Sequence, residues 1–325
     1  MGYNTGKGKL IISDSIEFLN NYEGKQKAQL IITSPPFPLN SKKRYGNLNG
    51  DAYKEWFANL APLFSKVLAP NGSIVIEIGN SWEANRPIQS LLHLESLLAF
   101  VKNSNAGLRL IQEFICYNPS RLPSPAEWVT KNRIRTVDSY THIWWISNSD
   151  FPKADNSRVL KPYSKSMQRL LSKQKYNAGR RPSEHVISEK SFLKNNGGSI
   201  AHNFFELEPI DESREIRLPH NVLSFSNTNS NDFFQRTCRE RKIIPHPARM
   251  NPGIVSFFIE FLTDEGDLII DPFAGSNTTG YCAERQNRQW LSLEINEDYA
   301  SQSLIRFEDP KIITKLQIPE YEFID

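Results

Sequence analysis

The segment from Thr33 to Phe37 (TSPPF) combines a small hydroxyl group, two main-chain carbonyls and an aromatic ring. It follows Leu30 to Ile32, which reads as a short buried strand, so the two prolines end that strand and stiffen its carboxyl end. Open α/β folds bind their ligands at the carboxyl edge of a parallel sheet. The segment is therefore a candidate site for holding a polar group beside a ring, although the same residues are also typical of an ordinary strand exit.

A second segment with the layout of a ligand site runs from Asp271 to Gly280 (DPFAGSNTTG), between a predicted strand and a predicted helix. Glu294 follows 23 positions after Asp271, at the end of another predicted strand. In nucleotide-binding units a glycine-containing turn lets a ligand approach the backbone, and such an acid accepts hydrogen bonds from ribose hydroxyls. The GxGxxG pattern of a pyrophosphate cradle is absent, so an adenosine ligand without a diphosphate fits better, and S-adenosylmethionine is the commonest such cofactor.

The hydrophobic pattern predicts the elements that must position these two segments. Strands are predicted at 9–13, 28–32, 74–78, 114–117, 142–146, 267–270 and 290–293, and helices after 14, from 51, within 91–101, from 251 and after the glycine-containing turn. Alternation of strands and helices predicts an α/β fold with a Rossmann-like, mostly parallel sheet covered on both faces. The residues from Pro70 to Ser73 are predicted to form a turn, and Glu77 is predicted to break the strand that follows.

A basic region is segregated from the rest of this nearly neutral chain. Residues 151–200 contain eleven Lys and Arg against three Asp and Glu, whereas the whole chain has a net charge of +3. Such segregation favours a region that contacts a polyanion. We therefore expect a basic, polyanion-contacting region at 151–245 between two α/β halves at 1–150 and 246–325.

Composition excludes several other classes of protein. The chain has 39% hydrophobic residues and a mean hydropathy of −0.49, with no apolar run long enough to cross a bilayer. Its first residues carry no basic-then-apolar signal region, so we expect a cytoplasmic protein that binds no membrane. Cys116, Cys238 and Cys282 form no CxxC pair and no zinc spacing, which argues against a structural metal or disulfides.

Taken together, DPFAGSNTTG and TSPPF resemble the motifs of S-adenosylmethionine-dependent DNA methyltransferases that modify exocyclic amines. The Ser-Pro-Pro segment comes first and the Asp-Pro-Phe-Ala-Gly segment last, an order similar to the circularly permuted β group of that family. Ser-Pro-Pro-Phe, in place of Asp-Pro-Pro-Tyr, is similar to the N4-cytosine enzymes of type II restriction–modification systems. The resemblance covers the chain from Lys7 to Trp145 and again from His246 to about Phe307.

The resemblance implies roles for individual residues. A cytosine flipped out of double-stranded DNA would be methylated on N4 at a catalytic site made by Ser34, Pro35, Pro36 and Phe37. Asp14 would accept from the adenine amine, Glu294 would hold the ribose hydroxyls, and the segment from His246 to Arg249 would lie near the methionine end. The turn would wrap the cofactor with Asp271, Phe273, Gly275, Ser276, Asn277, Thr278 and Thr279. The family usually has glycine at the position of Asn277, so we expect this asparagine to keep a left-handed backbone.

The resemblance also implies a basic DNA target-recognition region at 151–245, between a catalytic half at 1–150 and a cofactor-binding half at 246–325. Arg180 to Ser183 and Ser199 to Asn203 are the first candidates for reading bases.

The resemblance further implies a cognate restriction endonuclease, with which we expect no stable complex. We expect a monomer, because a monomer can methylate a palindromic site one strand at a time. The pocket for a flipped base needs flanking rings, for which Phe37, Tyr117 and Trp128 are candidates.

Three alternatives remain open at this stage: an N6-adenine DNA methyltransferase, a nicotinamide-dependent oxidoreductase that uses the Asp271 turn, and a DNA-binding module without catalysis.

Overall fold

A computed structural model describes residues 2–38, 48–188, 192–208, 223–226, 232–309 and 323–324. The strands are β1 (Gly2–Asn4), β2 (Gly8–Ile12), β3 (Ala28–Thr33), β4 (Leu68–Gly79), β5 (Arg109–Tyr117), β6 (Tyr140–Ser147), β7 (Gly179–Arg180), β8 (Val186–Ile187), β9 (Phe204–Glu208), β10 (Leu223–Ser226), β11 (Leu268–Asp271), β12 (Gln289–Glu294) and β13 (Phe323–Ile324). The α-helices are α1 (Ser15–Asn20), α2 (Gly50–Val67), α3 (Leu92–Val101), α4 (Lys165–Lys173), α5 (Phe233–Glu240), α6 (Pro252–Leu262), α7 (Thr278–Arg285) and α8 (Glu297–Ser303).

Within the described ranges, eleven strands form one sheet in the order β10-β9-β5-β6-β4-β3-β11-β12-β2-β1-β13. Neighbours from β4 through β3, β11 and β12 to β2 are parallel, and so are β5, β9 and β10. Strand β6 lies antiparallel between β4 and β5, and β1 lies antiparallel to both β2 and β13. The predicted α/β fold with a mostly parallel sheet is confirmed.

Strand β3 shows why the centre of this sheet contains consecutive apolar residues. All six of its residues are buried. Leu30 and Ile32 pack on one face, in the cluster that contains Phe258 of α6, while Ile31 packs on the other face, in the cluster that contains Phe57 of α2. A strand covered by helices on both faces takes apolar residues at consecutive rather than alternate positions. Its two polar residues, Gln29 and Thr33, are hydrogen-bonded.

Strand β4 differs from the sequence-based expectation at its beginning. It runs without interruption from Leu68, although a turn was expected from Pro70 to Ser73. Leu68 is paired with Ala28, and the next pair in this ladder is Ser73 with Leu30. Strand β4 therefore has more residues than β3 between these two pairs, and the extra residues form an irregularity in the ladder. The turn-forming residues therefore make a bulge inside a strand, because pairing with β3 resumes directly after them.

The expectation that Glu77 breaks this strand was wrong. Glu77 lies opposite Ile143 of β6 in a continuous ladder, and its Oε1 accepts a hydrogen bond of 3.1 Å from Thr141 Oγ1. Desolvation raises the pKa of the Glu77 carboxyl to about 7, while the Thr141 bond and the charge of Arg121 act in the opposite direction. A polar residue can remain inside a strand when the next strand supplies it with a partner.

The basic region is tied to the rest of the fold at both of its ends. Lys153 makes ion pairs with Asp264 at 2.5 Å and Asp267 at 2.7 Å, and Arg158 reaches Asp264 at 2.7 Å. Strands β9 and β10, which also come from 151–245, continue the central sheet beyond β5. Lys190, one of the eleven basic residues, lies outside the described residues, and the division at 151 and 245 stays a prediction.

The helices within the described ranges include none that is long and apolar enough to cross a membrane.

We predict that Glu77→Gln makes the protein more stable at pH 8 and leaves its stability nearly unchanged below pH 4.5. The native state holds the Glu77 proton up to a pKa of about 7, against a reference value of 4.5, so the native state binds more protons between these values. Stability from this group is therefore full below pH 4.5 and lost as the pH rises through 7, by about 2–3 kcal/mol.

Urea unfolding of the wild type and the variant from pH 4.5 to pH 8 measures the difference. Glu55→Gln, at an exposed position of α2, is the control and should not change the pH dependence. A Glu77→Gln curve parallel to that of the wild type would contradict the prediction.

Candidate active site

The carboxyl ends of the neighbouring strands β2, β12, β11 and β3 border a cavity of about 310 Å³. The residues proposed from the two motifs come together in its wall, although they are up to 280 positions apart in the chain. Those in the wall are Asp14, Ser34, Pro35, Pro36, Phe37, His246, Asp271, Phe273, Gly275, Ser276, Thr278, Thr279 and Glu294. Asn277 does not line the cavity.

The buried carboxylate of Asp271 connects the two motifs. Its Oδ1 accepts from Thr33 Oγ1 at 2.7 Å and from the Phe273 amide at 3.1 Å, and its Oδ2 accepts from Thr279 Oγ1 at 2.6 Å. Burial raises the pKa of Asp271 to about 6, although these three donors favour the charged form. Both oxygens are engaged, so Asp271 fixes the end of β3 to the turn after β11.

The Ser-Pro-Pro segment is held from the side of α2 and β4. Tyr53 donates a hydrogen bond of 2.8 Å from its hydroxyl to the Pro36 carbonyl. The Phe37 ring lies against Gly79, where an added Cβ would come within 2.7 Å of the ring carbons. Ser34 is different, because its Oγ has no hydrogen-bond partner among the described residues although it lines the cavity. The segment therefore presents a free hydroxyl on a fixed backbone.

The turn after β11 is closed by the acid at the end of β12. Gly275 has a positive φ of 51°, and its amide donates to Glu294 Oε2 at 2.8 Å. Glu294 Oε1 accepts from the Asn296 amide at 2.9 Å. Burial raises the pKa of Glu294, and these backbone donors oppose the shift. Each carboxylate oxygen has a further lone pair, so Glu294 can still accept from a ligand.

Asn277 supports the turn from behind. Its backbone is left-handed, with φ 52° and ψ 46°, which confirms the expected conformation at this position. Its Oδ1 accepts from the Gly280 amide at 3.0 Å and from Ser292 Oγ at 2.7 Å, while its Nδ2 donates to the Tyr3 hydroxyl at 2.9 Å. Asn277 is fully buried and caps α7, so it acts on the cavity by shaping the turn.

Asp14 and His246 stand at two borders of the cavity. Asp14 caps α1, with Oδ1 accepting from the amides of Ile16 and Glu17 at 2.9 Å each. The His246 ring packs edge-on against Tyr299, with ring centroids 4.4 Å apart. An added Cβ at Gly275 would lie 3.2 Å from the His246 ring, and burial lowers the pKa of His246. Only glycine therefore allows this close approach of ring and turn.

Trp56 lines the cavity and was not among the sequence-based candidates, whereas Arg249 lies in the segment that was expected near the methionine end. Trp56 lies with its ring centroid 5.7 Å from that of Phe273. The sequence signal that could have identified Trp56 was its position, because this tryptophan does not belong to the set of α2 residues that are buried in the core. Arg249 provides the one guanidinium group among the described lining residues, and its carbon lies 6.0 Å from the Phe234 ring centroid. Burial lowers the pKa of Arg249, and Asp232 acts against this shift.

Tyr117 and Trp128 do not line the cavity. The Tyr117 ring contacts Phe204 of β9, with centroids 6.2 Å apart. The Trp128 carbonyl accepts from the Ile134 amide at 2.9 Å, within the loop between β5 and β6. Of the three candidate rings, Phe37 alone lines the cavity.

The candidate base-reading segments also lie outside the cavity wall. Arg180 forms an exposed ion pair of 3.4 Å with Glu184. Arg181 donates to the Asn177 carbonyl at 2.8 Å. The segment from Ser199 leads into β9, and Asn203 donates from Nδ2 to the Glu113 carbonyl at 2.8 Å. Their contact with bases stays a prediction.

Metal chemistry finds no support in the part of the chain that is described. No group of three or more His, Cys, Asp and Glu there is placed to hold an ion. Cys116, Cys238 and Cys282 are all buried and free.

Comparison with known proteins supports the same interpretation. A family model described as DNA methylase, which covers N6 and N4 methyltransferases, matches residues 28–304. The type II methyltransferase M.PvuII from Proteus hauseri is 39% identical over 312 residues, which are 95% of this chain and 86% of that protein. The type II methyltransferase M.HpaI from Haemophilus parainfluenzae is 24% identical over 308 residues, which are 92% of this chain and 74% of that protein.

Solved structures agree. The PvuII DNA methyltransferase, described as cytosine-N4-specific, superposes with a TM-score of 0.70 and 32% identity, over 96% of this chain and 92% of that chain. The M1.HpyAVI–SAM complex has a TM-score of 0.51 at 15% identity, over 92% of this chain and 98% of that chain, which is a likeness in fold. Since the family model spans most of the chain and M.PvuII matches nearly all of it, the chain belongs to the DNA methylase family of N6 and N4 methyltransferases.

Proposed function

We propose that this protein transfers a methyl group from S-adenosylmethionine to the N4 amine of a cytosine in a specific double-stranded DNA site. The observation that carries the proposal is the Asp271 carboxylate, which joins the Ser-Pro-Pro segment to the glycine-containing turn in one cavity. The similarity to M.PvuII, a type II methyltransferase, supports a role in protecting DNA from a cognate restriction endonuclease.

Several groups in the cavity wall fit the cofactor. Gly275 lines the cavity with its backbone, and the φ of 51° at this residue shapes the turn. Thr278 Oγ1 is buried at the cavity with no partner among the described residues. Asp14 and Glu294 offer carboxylates to the adenine amine and the ribose hydroxyls, and Arg249 offers a cation to the methionine carboxylate. When bound, the cofactor supplies an electrophilic methyl group.

The Ser-Pro-Pro segment makes the cytosine amine reactive. The lone pair of this amine is delocalised into the ring, which makes the nitrogen a poor nucleophile. Ser34 Oγ and the Pro35 carbonyl accept the two amine hydrogens and turn the lone pair toward the methyl group, while Phe37 stacks on the flipped base. The nitrogen–carbon bond forms as the carbon–sulfur bond breaks, and the methylated amine then releases one proton.

The N6-adenine alternative has less support. Ser34 stands where aspartate is typical of adenine enzymes, and the solved relative at 32% identity is described as cytosine-N4-specific. A nicotinamide-dependent oxidoreductase has no supporting feature, because the turn lacks GxGxxG and the chain belongs to a methylase family. A DNA-binding module without catalysis would not need a buried carboxylate to align two motifs at one cavity.

We further propose that the protein works as a monomer in the cytoplasm and forms no stable complex with its endonuclease. A monomer can methylate the two strands of a palindromic site one after the other. The basic residues of 151–200 would hold phosphates of the duplex, a task that requires charge rather than a second subunit.

We predict that Ser34→Ala lowers the rate of methyl transfer by about 10²–10³-fold, because one acceptor of the amine hydrogens is lost. Affinity for S-adenosylmethionine should stay within about twofold, since the serine contacts the base rather than the cofactor. Transfer of tritium from the labelled cofactor to DNA measures the rate, and calorimetry measures the affinity. Ser104→Ala, at an exposed position after α3, is the control. Full activity in Ser34→Ala would falsify the catalytic assignment.

The chemical identity of the product separates the two amines. Hydrolysis of the tritium-labelled DNA should give label in N4-methylcytosine. Label in N6-methyladenine would overturn the choice of cytosine, and the absence of any transfer by the wild type would overturn the proposed enzyme.

We predict that Arg249→Met weakens binding of S-adenosylmethionine by about 10- to 100-fold, as expected for loss of a charge-assisted hydrogen bond. Binding of 5′-methylthioadenosine, which lacks the amino-acid carboxylate, should not change. Calorimetry with both ligands measures this difference, and Arg236→Met on the exposed side of α5 is the control. Equal weakening of the two ligands would show that Arg249 only maintains the cavity.

A further inference from the structure

The loop formed by residues 118–139 leaves the sheet at the same edge as the cavity. Tyr117, at the end of β5, is paired with Tyr140, and the next residue of β6, Thr141, is paired with Gly79 at the carboxyl end of β4. Strands β5 and β4 both run antiparallel to β6, so their carboxyl ends point the same way. Three strand spacings, about 14 Å, separate β5 from β3, a distance close to the width of the DNA major groove of about 12 Å.

Hydrogen bonds fix the beginning of this loop to its end. The Asn118 amide donates to the Ser139 carbonyl at 2.7 Å, and Arg121 Nη1 donates to the Tyr140 carbonyl at 3.0 Å. Within the loop, the Trp128 carbonyl accepts from the amides of Ile134 at 2.9 Å and Arg135 at 3.2 Å. The base of the loop is therefore an ordered support at the edge of the active site.

The supported loop presents Leu122, its most exposed large apolar side chain, to solvent. Leu122 is 81% exposed, directly after the anchored Arg121 and directly before Pro123. Prolines at 119, 123 and 125 restrict the backbone, so Leu122 is held out with little conformational freedom to lose on binding. A single exposed leucine is ordinary on a protein surface. This leucine, however, is held rigidly at the same edge of the sheet as a site that must remove a base from DNA, where an apolar side chain can act on the base stack.

Cationic side chains accompany this apolar tip. Lys131 has a side chain that is 72% exposed, and Arg133 is exposed with a left-handed backbone of φ 54°. Ile134, beside Arg133, is 61% exposed. Lysine and arginine contact phosphates and fix the register of a protein on a duplex, whereas apolar side chains enter between bases. The loop combines both kinds of side chain.

We infer that Leu122 inserts into the base stack of DNA and fills the space that the flipped target base leaves. This inference rests on the proposed function, because only an enzyme that acts on a base inside a duplex needs such a residue. Leu122 lowers the free energy of the flipped state by replacing lost stacking with apolar contact, while the flipped base enters the cavity between Ser34 and Phe37. Leu122 is thus a positioning residue and does not touch the cofactor.

The test compares two duplexes that carry the recognition site found by sequencing DNA methylated by the wild type. In one duplex the target cytosine is paired, and in the other it is mismatched and already unstacked. We expect Leu122→Ala to lower the rate of methyl transfer about tenfold or more on the paired target and less than about twofold on the mismatched target, because flipping a mismatched base costs little. The fluorescence rise of 2-aminopurine at the target position should fall in parallel.

Two controls separate insertion from other effects. Phe151→Ala removes a side chain that is 88% exposed at the opposite edge of the sheet, and it should change neither rate. Leu122→Met keeps an apolar side chain and should retain most of the activity. An unchanged rate for Leu122→Ala on the paired target, or an equal loss on both duplexes, overturns the inference. Absence of methyl transfer by the wild type would instead overturn the proposed function.

Discussion

A single buried carboxylate determines how the two sequence motifs lie relative to each other. Asp271 receives hydrogen bonds of 2.7 Å from β3 and 2.6 Å from α7, and it has lost nearly all contact with water. A buried charge is costly unless its partners are complete, so the native state is strongly favoured only when both motifs are in place. The distance between the Ser-Pro-Pro segment and the glycine-containing turn is therefore set by packed secondary structure.

The polar side chains around the cavity divide into two groups. Asp271, Glu294 and Asn277 are engaged with other parts of the protein before any ligand is present. Ser34 and Thr278 line the same cavity and have no partner among the described residues. The first group gives the site its shape, and the second offers hydrogen-bonding capacity that a base and a cofactor can use without rearrangement of the protein.

Local sequence was enough to predict the central strands and the two motifs, because each depends on neighbouring residues. The left-handed backbone of Asn277 was predicted from the family resemblance. Local sequence was not enough for features that depend on strand pairing. Glu77 looked like a break until Thr141 of β6 was beside it, and β9 and β10 joined the sheet although no strand was predicted there. Trp56 was missed since its role follows from the elements that α2 faces in the folded protein.

The contact between Thr33 and Asp271 spans 238 positions, which has a consequence for the synthesis of this protein in the cell. At roughly 5–20 residues per second, β3 emerges about 10–50 s before the strand that pairs with its second edge. During that interval the nascent chain carries an apolar strand with one unpaired edge, a surface that favours aggregation and chaperone binding. Ribosomes that stop before residue 271 release chains without Asp271 and the glycine-containing turn, so the cavity can form only when the last quarter of the chain is made.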